Sequence, residues 1–302
     1  MNTAIKSSFL AELTRRYGSI KKLQGTQSLY EIGDSAARIY IRYSKIHDRY
    51  RTFFGLREDD IRKLQGKPSL ICFLWDGQIE PLFIPYGDYE GIFDSTTAAK
   101  DGQFKVQVFI QEYGTELYIA RAGRFNVESY FGWANLDAIV DSAKLINIPV
   151  LNHSQVQTLL GGIGISKGRD IFVPQYDRDK LDWNIGAKFQ CRQLPISGFE
   201  NLKGIIDEVD VIWIKPGTNE LCALFEVEHS TSIYSGLLRF NDIRLSSVEM
   251  TPKYSIVANE TRRSVFVRQL NRPTFIASGL NNLCTFMEYG DVFSWHRRVA
   301  QS

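Results

Sequence analysis

Two apolar runs separated by a short turn constrain the fold of this 302-residue chain more than any other feature. The first run, residues 209–214, reads VDVIWI, and the second, residues 222–228, reads CALFEVE. The turn between them contains Pro216 and Gly217, a dipeptide that strongly favours chain reversal. The sequence therefore predicts two antiparallel strands in the interior of a domain.

Three carboxylates belong to this predicted strand pair: Asp210 near the start of the first strand, and Glu226 and Glu228 at the end of the second. Residues two apart on a strand point to the same face, so Glu226 and Glu228 should project together. The turn should bring Asp210 beside Glu226. Carboxylates crowded in apolar strands are costly unless they are protonated or bind a divalent cation. From spacing alone, strand ends that merely face water remain the alternative to a metal site.

The sequence indicates two domains, because the chain exceeds the usual size of one compact domain and its pattern of predicted elements changes near residue 148. We expect a β-rich domain over residues 1–147, in which residues 81–93 are predicted as a strand. In residues 148–302 we predict a helix capped by Asn152 and ended by the glycines from Gly161 onward, then strands and helices in alternation. The predicted class is α+β or α/β, with a mixed sheet flanked by helices in the second domain.

Composition narrows the classes of function. An apolar fraction of 44% and a charged fraction of 23% are ordinary for a folded globular protein. The net charge of +2 excludes a whole-molecule attraction to nucleic acid but allows a local basic cleft. The four cysteines are scattered and form no zinc motif, and no apolar run reaches the about 20 residues of a membrane span. We expect a cytoplasmic protein without a membrane partner.

The acidic pattern resembles the PD-(D/E)XK nuclease superfamily over roughly residues 150–290. Asp210 is followed after 16 residues by Glu226-x-Glu228, with a helix before this pattern and a helix and a strand after it. The resemblance implies that Asp210 and Glu226 hold Mg²⁺, for which Mn²⁺ can substitute. Glu228 stands where lysine is usual, as in a minority of restriction endonucleases, and Val209 stands where proline is usual.

The resemblance implies a Mg²⁺-dependent endodeoxyribonuclease of restriction type that hydrolyses phosphodiester bonds of double-stranded DNA. Asp210, Glu226 and Glu228 would be its catalytic residues, and Glu228 would accept a proton from water or bind a second ion. Cutting both strands with one site per chain favours a two-fold homodimer. The alternative is a non-catalytic DNA-binding or assembly protein with a degenerate nuclease-like domain, because decay would also remove the lysine.

Other polar residues are weaker candidates. Lys215 and His229 lie near the acidic residues in sequence, but strand length places Lys215 too far away, and His229 should point to the opposite face. Residues 38–57 mix basic and aromatic side chains, of which only the cations are interpreted as DNA contacts and the tyrosines as packing. The predicted DNA contacts are Arg38, Arg42, Lys45, Arg57, Ser232 and Arg239.

Overall fold

The computed structural model describes residues 3–47, 50–112, 114–145, 147–193, 200–229, 232–246 and 252–300. The chain divides into two compact units, Met1–Asn147 and Ile148–Ser302. Helices and strands are mixed in both units, which confirms the α+β character expected from the sequence. Within the described ranges, none of the helices combines the length and the apolar character needed to cross a bilayer.

The described residues of the first unit form two sheets. Its helices are α1 (Thr3–Tyr17), α2 (Glu58–Arg62), α3 (Tyr86–Ser95) and α4 (Ala134–Leu145). Its strands are β1 (Lys21–Lys22), β2 (Leu29–Ile32), β3 (Ala37–Ser44), β4 (Arg51–Arg57), β5 (Ser69–Trp75), β6 (Leu82–Pro85), β7 (Gln103–Gln111), β8 (Gly114–Ile119) and β9 (Gly123–Asn126). One sheet has the order β1-β2-β3-β5-β6, and the other has the order β4-β7-β8-β9.

The side chains of β3 point alternately into two hydrophobic clusters of this unit. Tyr40 packs with residues of both sheets, and Phe54 of the second sheet lies 4.6 Å from Phe73 of the first, ring centroid to ring centroid. Ile39 points the other way, into a cluster that contains Leu13 of α1 together with residues of α4. Because successive side chains of a strand point to opposite faces, β3 contributes to the hydrophobic core on both faces of the first sheet.

Residues 81–93 are only partly a strand, contrary to the sequence prediction. β6 ends at Pro85, and α3 follows directly. The buried side chains of α3 are Tyr86, Tyr89, Glu90 and Phe93. This spacing of three and four residues is that of a helix face. The aromatic residues favoured a strand in the sequence prediction. A helix forms instead because the buried side chains recur every three or four residues and so lie on one helix face.

The second unit is built around one sheet. Its helices are α5 (His153–Ser166), α6 (Gln175–Arg178), α7 (Lys203–Ile206), α8 (Ile233–Ser246), α9 (Arg263–Leu270), α10 (Pro273–Ala277), α11 (Leu280–Leu283) and α12 (Tyr289–Ala300). Its strands are β10 (Asp170–Phe172), β11 (Val211–Ile214), β12 (Leu221–Glu228), β13 (Lys253–Ala258) and β14 (Cys284–Glu288). Short 3₁₀ turns span Glu128–Tyr130 in the first unit and Glu200–Leu202 and Glu260–Arg262 in the second.

The sheet of the second unit is mixed, with the order β10-β11-β12-β13-β14. β10, β11 and β12 pair antiparallel, which confirms the predicted strand pair, and β12, β13 and β14 pair parallel. One face packs against α8 and α9, and Leu224 belongs to that core. The other face packs against α5 and α12, and Phe225 and Val227 belong to that core. Helices therefore cover both faces of the sheet, as the sequence predicted.

The helix α5 passes through Gly161, Gly162 and Gly164, three of the glycines that were predicted to end it. It continues to Ser166, and the missing side chain at Gly164 lets it approach the sheet closely. A Cβ at Gly164 would lie 2.4 Å from Ile171 Cδ1 and 2.6 Å from Trp213 Nε1. The Trp213 indole donates to the Leu160 carbonyl at 3.0 Å. Close packing is therefore the role of Gly164, whereas α5 ends just before Gly168, whose φ of 66° is the left-handed conformation typical of a helix stop.

Candidate active site

The pairing of β11 with β12 places Asp210 beside Glu226. Val211 pairs with Phe225, so Asp210, one residue before β11, lies at the next rung of the ladder. Asp210 Oδ2 accepts a hydrogen bond from the Val227 backbone N–H at 2.6 Å. Asp210 is 8% exposed and Glu226 is 0% exposed. Two carboxyl groups are thus buried next to each other at one end of the strand pair.

The helix α8 lies directly over Glu226 and Glu228. Both residues share the face of β12 that carries Leu224, and Glu228 is only 2% exposed. A Cβ at Gly236 would lie 3.0 Å from Glu228 Oε1 and 3.1 Å from Glu226 Cβ. Glycine at this position of α8 therefore makes room for the two carboxyl groups between the helix and the sheet.

Arg239 of α8 binds Glu226 through both of its carboxylate oxygens. The Arg239 Nε donates to Glu226 Oε1 at 2.8 Å, and its Nη2 donates to Oε2 at 2.5 Å. Its Nη1 also lies 3.5 Å from Glu208 Oε2. Two parallel bonds of this kind are the strongest arrangement of guanidinium and carboxylate. Arg239, which we predicted as a phosphate contact, thus neutralises Glu226 in this structure.

Burial controls the protonation of this cluster. Desolvation raises the pKa of Asp210, and the neighbouring Glu226 and Glu228 carboxylates raise it further. Desolvation also raises the pKa of Glu226, although the hydrogen bonds from Arg239 oppose this shift. The end of the strand pair therefore carries more negative charge than its environment stabilises, and a proton or a cation relieves the excess.

Two residues that the sequence analysis missed complete the site. His153 is the first residue of α5, where Asn152 and Gln155 form a capping box. The His153 Nε2 lies 3.2 Å from Asp210 Oδ1. One ligand atom each of His153, Asp177 and Asp210 lies within 4.8 Å of the other two, a grouping that, in the described ranges, does not include Glu226 or Glu228. The residues best placed to share a metal ion therefore come from three separate segments.

Gln157, one turn further along α5, connects these segments. Its Nε2 donates to Asp177 Oδ2 at 3.2 Å and to the Asp210 carbonyl at 3.3 Å. The Lys180 Nζ donates to Asp177 Oδ1 at 2.9 Å. Desolvation lowers the pKa of His153, which keeps its imidazole neutral and able to act as a ligand near neutral pH.

A sequence profile described as "Type II restriction enzyme NmeDI C-terminal domain" matches residues 139–298, which is more than half of the chain. The chain belongs to this family. The Type II restriction enzyme NmeDI of Neisseria meningitidis serogroup C is 31% identical to it over 137 residues. The aligned part is 41% of this chain and 37% of the length of that relative. No solved structure matches the chain significantly.

The region that matches the NmeDI C-terminal domain contains every residue of the site described above. Inside it, Lys215 lies at the opposite end of β11 from Asp210 and donates to Glu220 at 2.8 Å, so it takes no part in the site. His229 is exposed and stacks on Tyr289, with ring centroids 6.1 Å apart. Ser232, a predicted DNA contact, is exposed just before α8.

Arg38, which lies outside the region that matches the NmeDI C-terminal domain, is a correction to the predicted DNA contacts. Its side chain is only 3% exposed. Its Nε and Nη2 each lie 3.1 Å from Glu31 Oε1, and its Nη1 donates to the Lys63 carbonyl at 2.8 Å. A guanidinium that is buried and already paired has no free face for a phosphate, so Arg38 stabilises the first sheet instead.

The remaining candidates of the first unit are accessible. Lys45 and Arg57 are exposed, and Arg42 is half-buried with its guanidinium 5.6 Å from the centre of the Tyr40 ring. The expectation that the tyrosines of this segment are all packing residues is wrong for Tyr50, which is 71% exposed. Burial of Tyr40, which is 0% exposed, agrees with that expectation.

Proposed function

We propose that this chain is a Mg²⁺-dependent endodeoxyribonuclease of restriction type that hydrolyses phosphodiester bonds of double-stranded DNA. One observation carries the proposal: the region that belongs to the NmeDI C-terminal domain family contains a cluster of buried carboxyl groups at one end of a strand pair. The order of α5, β10, β11, β12, α8 and β13 around this cluster supports a PD-(D/E)XK nuclease in which Glu228 replaces the usual lysine.

The donor set suits a hard divalent cation. Asp210 and Glu226 supply carboxylate oxygens in a buried setting where their negative charges are poorly compensated, and such oxygens are the ligands that Mg²⁺ prefers. Asp210 is held in place by the Val227 N–H, so one of its oxygens is fixed and the other faces His153. When bound, Mg²⁺, or Mn²⁺ in its place, would stabilise the charge that develops on the phosphate.

Arg239 and Glu228 have distinct parts in this proposal. Glu226 becomes a ligand only when the Arg239 guanidinium leaves its two oxygens, and a released Arg239 of α8 would be free to bind a DNA phosphate, as would Ser232 just before that helix. A Glu228 carboxylate oxygen would accept a proton from the attacking water. In the first unit, Arg42, Lys45 and Arg57 would contact the DNA backbone. The proposed enzyme acts as a two-fold homodimer in the cytoplasm.

A non-catalytic DNA-binding or assembly protein is the second candidate function. The observation that favours it is the pairing of Arg239 with both oxygens of Glu226, because a guanidinium there supplies the positive charge that an ion would otherwise bring. Glu228 in the usual lysine position points the same way. Such a protein would bind duplex DNA without cutting it.

A plasmid cleavage assay with and without Mg²⁺ or Mn²⁺ separates the two functions. We expect ion-dependent nicking and linearisation by the wild type. Asp210→Asn and Glu226→Gln should each lower the rate by about a hundredfold or more, because each removes charge that acts in the transition state. The matched control is Asp179→Asn, which changes an exposed carboxylate and should leave the rate unchanged.

Glu228→Lys restores the residue usual in the superfamily. Partial activity would show that residue 228 mainly orients or deprotonates the attacking water, whereas complete loss would favour Glu228 as a metal ligand. If the wild type binds duplex DNA but cuts none under any of these conditions, the non-catalytic function is the correct one.

A further inference from the structure

We infer that His153, Asp177 and Asp210 form a divalent-cation site that selects transition-metal ions such as Mn²⁺ or Co²⁺ over Mg²⁺. The inference deepens the proposed function and rests on it, because Asp210 is shared with the proposed nuclease site. It differs from the expected pair of Asp210 and Glu226 in its ligands and in the ion it favours.

The geometry of His153 and Asp210 is that of two ligands facing one ion. The His153 Nε2 and Asp210 Oδ1 are 3.2 Å apart, yet this buried nitrogen makes no hydrogen bond with any described residue. Two donors bound to one cation by bonds of about 2.1 Å lie about 3.0–3.4 Å apart, with their lone pairs directed at the ion rather than at each other. The third ligand atom, from Asp177, lies within 4.8 Å of both.

Gln157 gives a second, independent indication. This side chain is 0% exposed and places its amide group against both Asp177 and Asp210. Its Oε1 is buried without a donor anywhere in the described part of the chain. Buried acceptors are nearly always satisfied by protein or by ordered water. A water molecule on the bound ion would supply the missing donor beside the cluster.

The ligand types decide which ion is preferred. An imidazole nitrogen suits Mn²⁺, Co²⁺, Ni²⁺ and Zn²⁺, whereas Mg²⁺ binds mainly oxygen atoms and keeps several waters. Two carboxylates outnumber the one Lys180 ammonium that, among the described residues, forms an ion pair with Asp177, so the ligand set attracts a cation.

Access and charge balance are both compatible with an ion at this position. A cavity of about 430 Å³ opens beside the start of α5 and is lined by His153 and Lys180 together with Asn152, Ser154, Leu181 and Asp182, so solvent lies next to the site. The ion pair between Arg239 and Glu226 can stay intact, since Glu226 is not a member of this ligand set. Binding at His153 therefore requires no rearrangement of α8.

The test is metal binding by the full chain after removal of metals with a chelator. Isothermal titration with Mn²⁺, Co²⁺ and Mg²⁺ should give one ion per chain, with Mn²⁺ and Co²⁺ bound about tenfold or more tightly than Mg²⁺. The visible absorption of bound Co²⁺ should report the nitrogen ligand. His153→Gln and Asp177→Asn should each weaken Mn²⁺ binding by about tenfold or more.

Matched controls define the ligand set. His296→Gln changes another half-buried histidine of the same unit, and Asp179→Asn changes an exposed carboxylate two residues from Asp177. Both should bind Mn²⁺ as the wild type does. Circular dichroism and thermal unfolding show whether each variant is folded. If Asp177→Asn fails to fold, His153→Gln, at the half-buried start of α5, decides the question.

Equal affinity of the wild type for Mn²⁺ and Mg²⁺, or unchanged Mn²⁺ binding by His153→Gln, would overturn the inference. The nuclease proposal is tested separately from this metal site. Selective Mn²⁺ binding without any DNA cleavage leaves this site standing and refutes the enzyme. Cleavage by a wild type that shows no preference for Mn²⁺ refutes this site and leaves the enzyme standing.

Discussion

The buried carboxyl groups of Asp210 and Glu226 are stabilised in different ways. Glu226 has a guanidinium on both oxygens, whereas Asp210 has one backbone N–H and a neutral imidazole nearby. A buried carboxylate with incomplete compensation favours its protonated form. Of these two carboxyl groups, Asp210 is therefore the one whose deprotonation costs the folded protein more in the absence of metal.

Asp210→Asn should change how stability depends on pH. The folded pKa of Asp210 is raised above the about 3.9 of an unfolded chain, so its stabilising protonated form is present at low pH. This stability is lost as pH rises through the folded pKa. Asparagine does not ionise. With a chelator present, the free energy of unfolding of Asp210→Asn minus that of the wild type should therefore increase between pH 5 and pH 8.

Urea unfolding of both proteins across this pH range measures the effect. Asp179→Asn serves as the control, because its exposed carboxylate should give a curve parallel to that of the wild type. A constant difference between Asp210→Asn and the wild type at all pH values would show that Asp210 is already fully compensated in the folded state.

At the scale of elements, the contact of α5 with the sheet positions the site. Gly164 lets the helix pack against Ile171 and Trp213, and the capping box fixes where the helix begins. Together they set the place of His153 relative to the end of β11. A displaced helix would change the 3.2 Å separation of His153 from Asp210.

Gly164→Ala should destabilise the protein. The new methyl group would meet side-chain atoms at 2.4 and 2.6 Å, closer than any real contact, so the helix or the sheet must shift. Overpacking of this kind costs about 1–3 kcal/mol. The matched control is Gly91→Ala in α3, where nothing lies within 4 Å and alanine should stabilise the helix by up to about 1 kcal/mol. Urea unfolding measures both, and equal effects of the two substitutions would contradict the packing argument.

The segment around the end of β3 is the element on which the DNA-contact prediction depends. Lys45→Ala should weaken binding to duplex DNA and reduce the slope of log affinity against log salt by about 1, because each phosphate contact releases counterions. Lys100→Ala, at another exposed lysine of the same unit, is the control and should change neither quantity. If both variants behave alike in a fluorescence anisotropy titration over several salt concentrations, Lys45 is a solubility residue.

At the scale of the whole molecule, the chain consists of two units joined by an exposed segment. Residues 147–150 carry no regular secondary structure, and Val150 is 98% exposed. Each unit has its own buried clusters. Backbone that is exposed and makes few contacts is where proteases cut first.

Limited proteolysis should therefore separate the units. Thermolysin, which cuts before bulky apolar residues, should first cut near Val150 and give two fragments of about half the chain each. Mass spectrometry of the fragments locates the cut. Ile79, which is 99% exposed in the turn after β5, is the internal comparison, because it lies within the first unit. A first cut at Ile79 would contradict the expectation that the link between the units is the weakest point.

The sequence by itself determined the features that depend on neighbours along the chain. Alternation and the Pro-Gly turn predicted β11 and β12, and the Asn152 cap predicted the start of α5. Residues far apart in sequence were decided only by tertiary structure. The site gains His153 and Asp177 from other segments, and Arg239 pairs with Glu226 because α8 folds back over β12. No local pattern encodes these contacts, since they arise from how helices pack on the sheet and which charges are buried together.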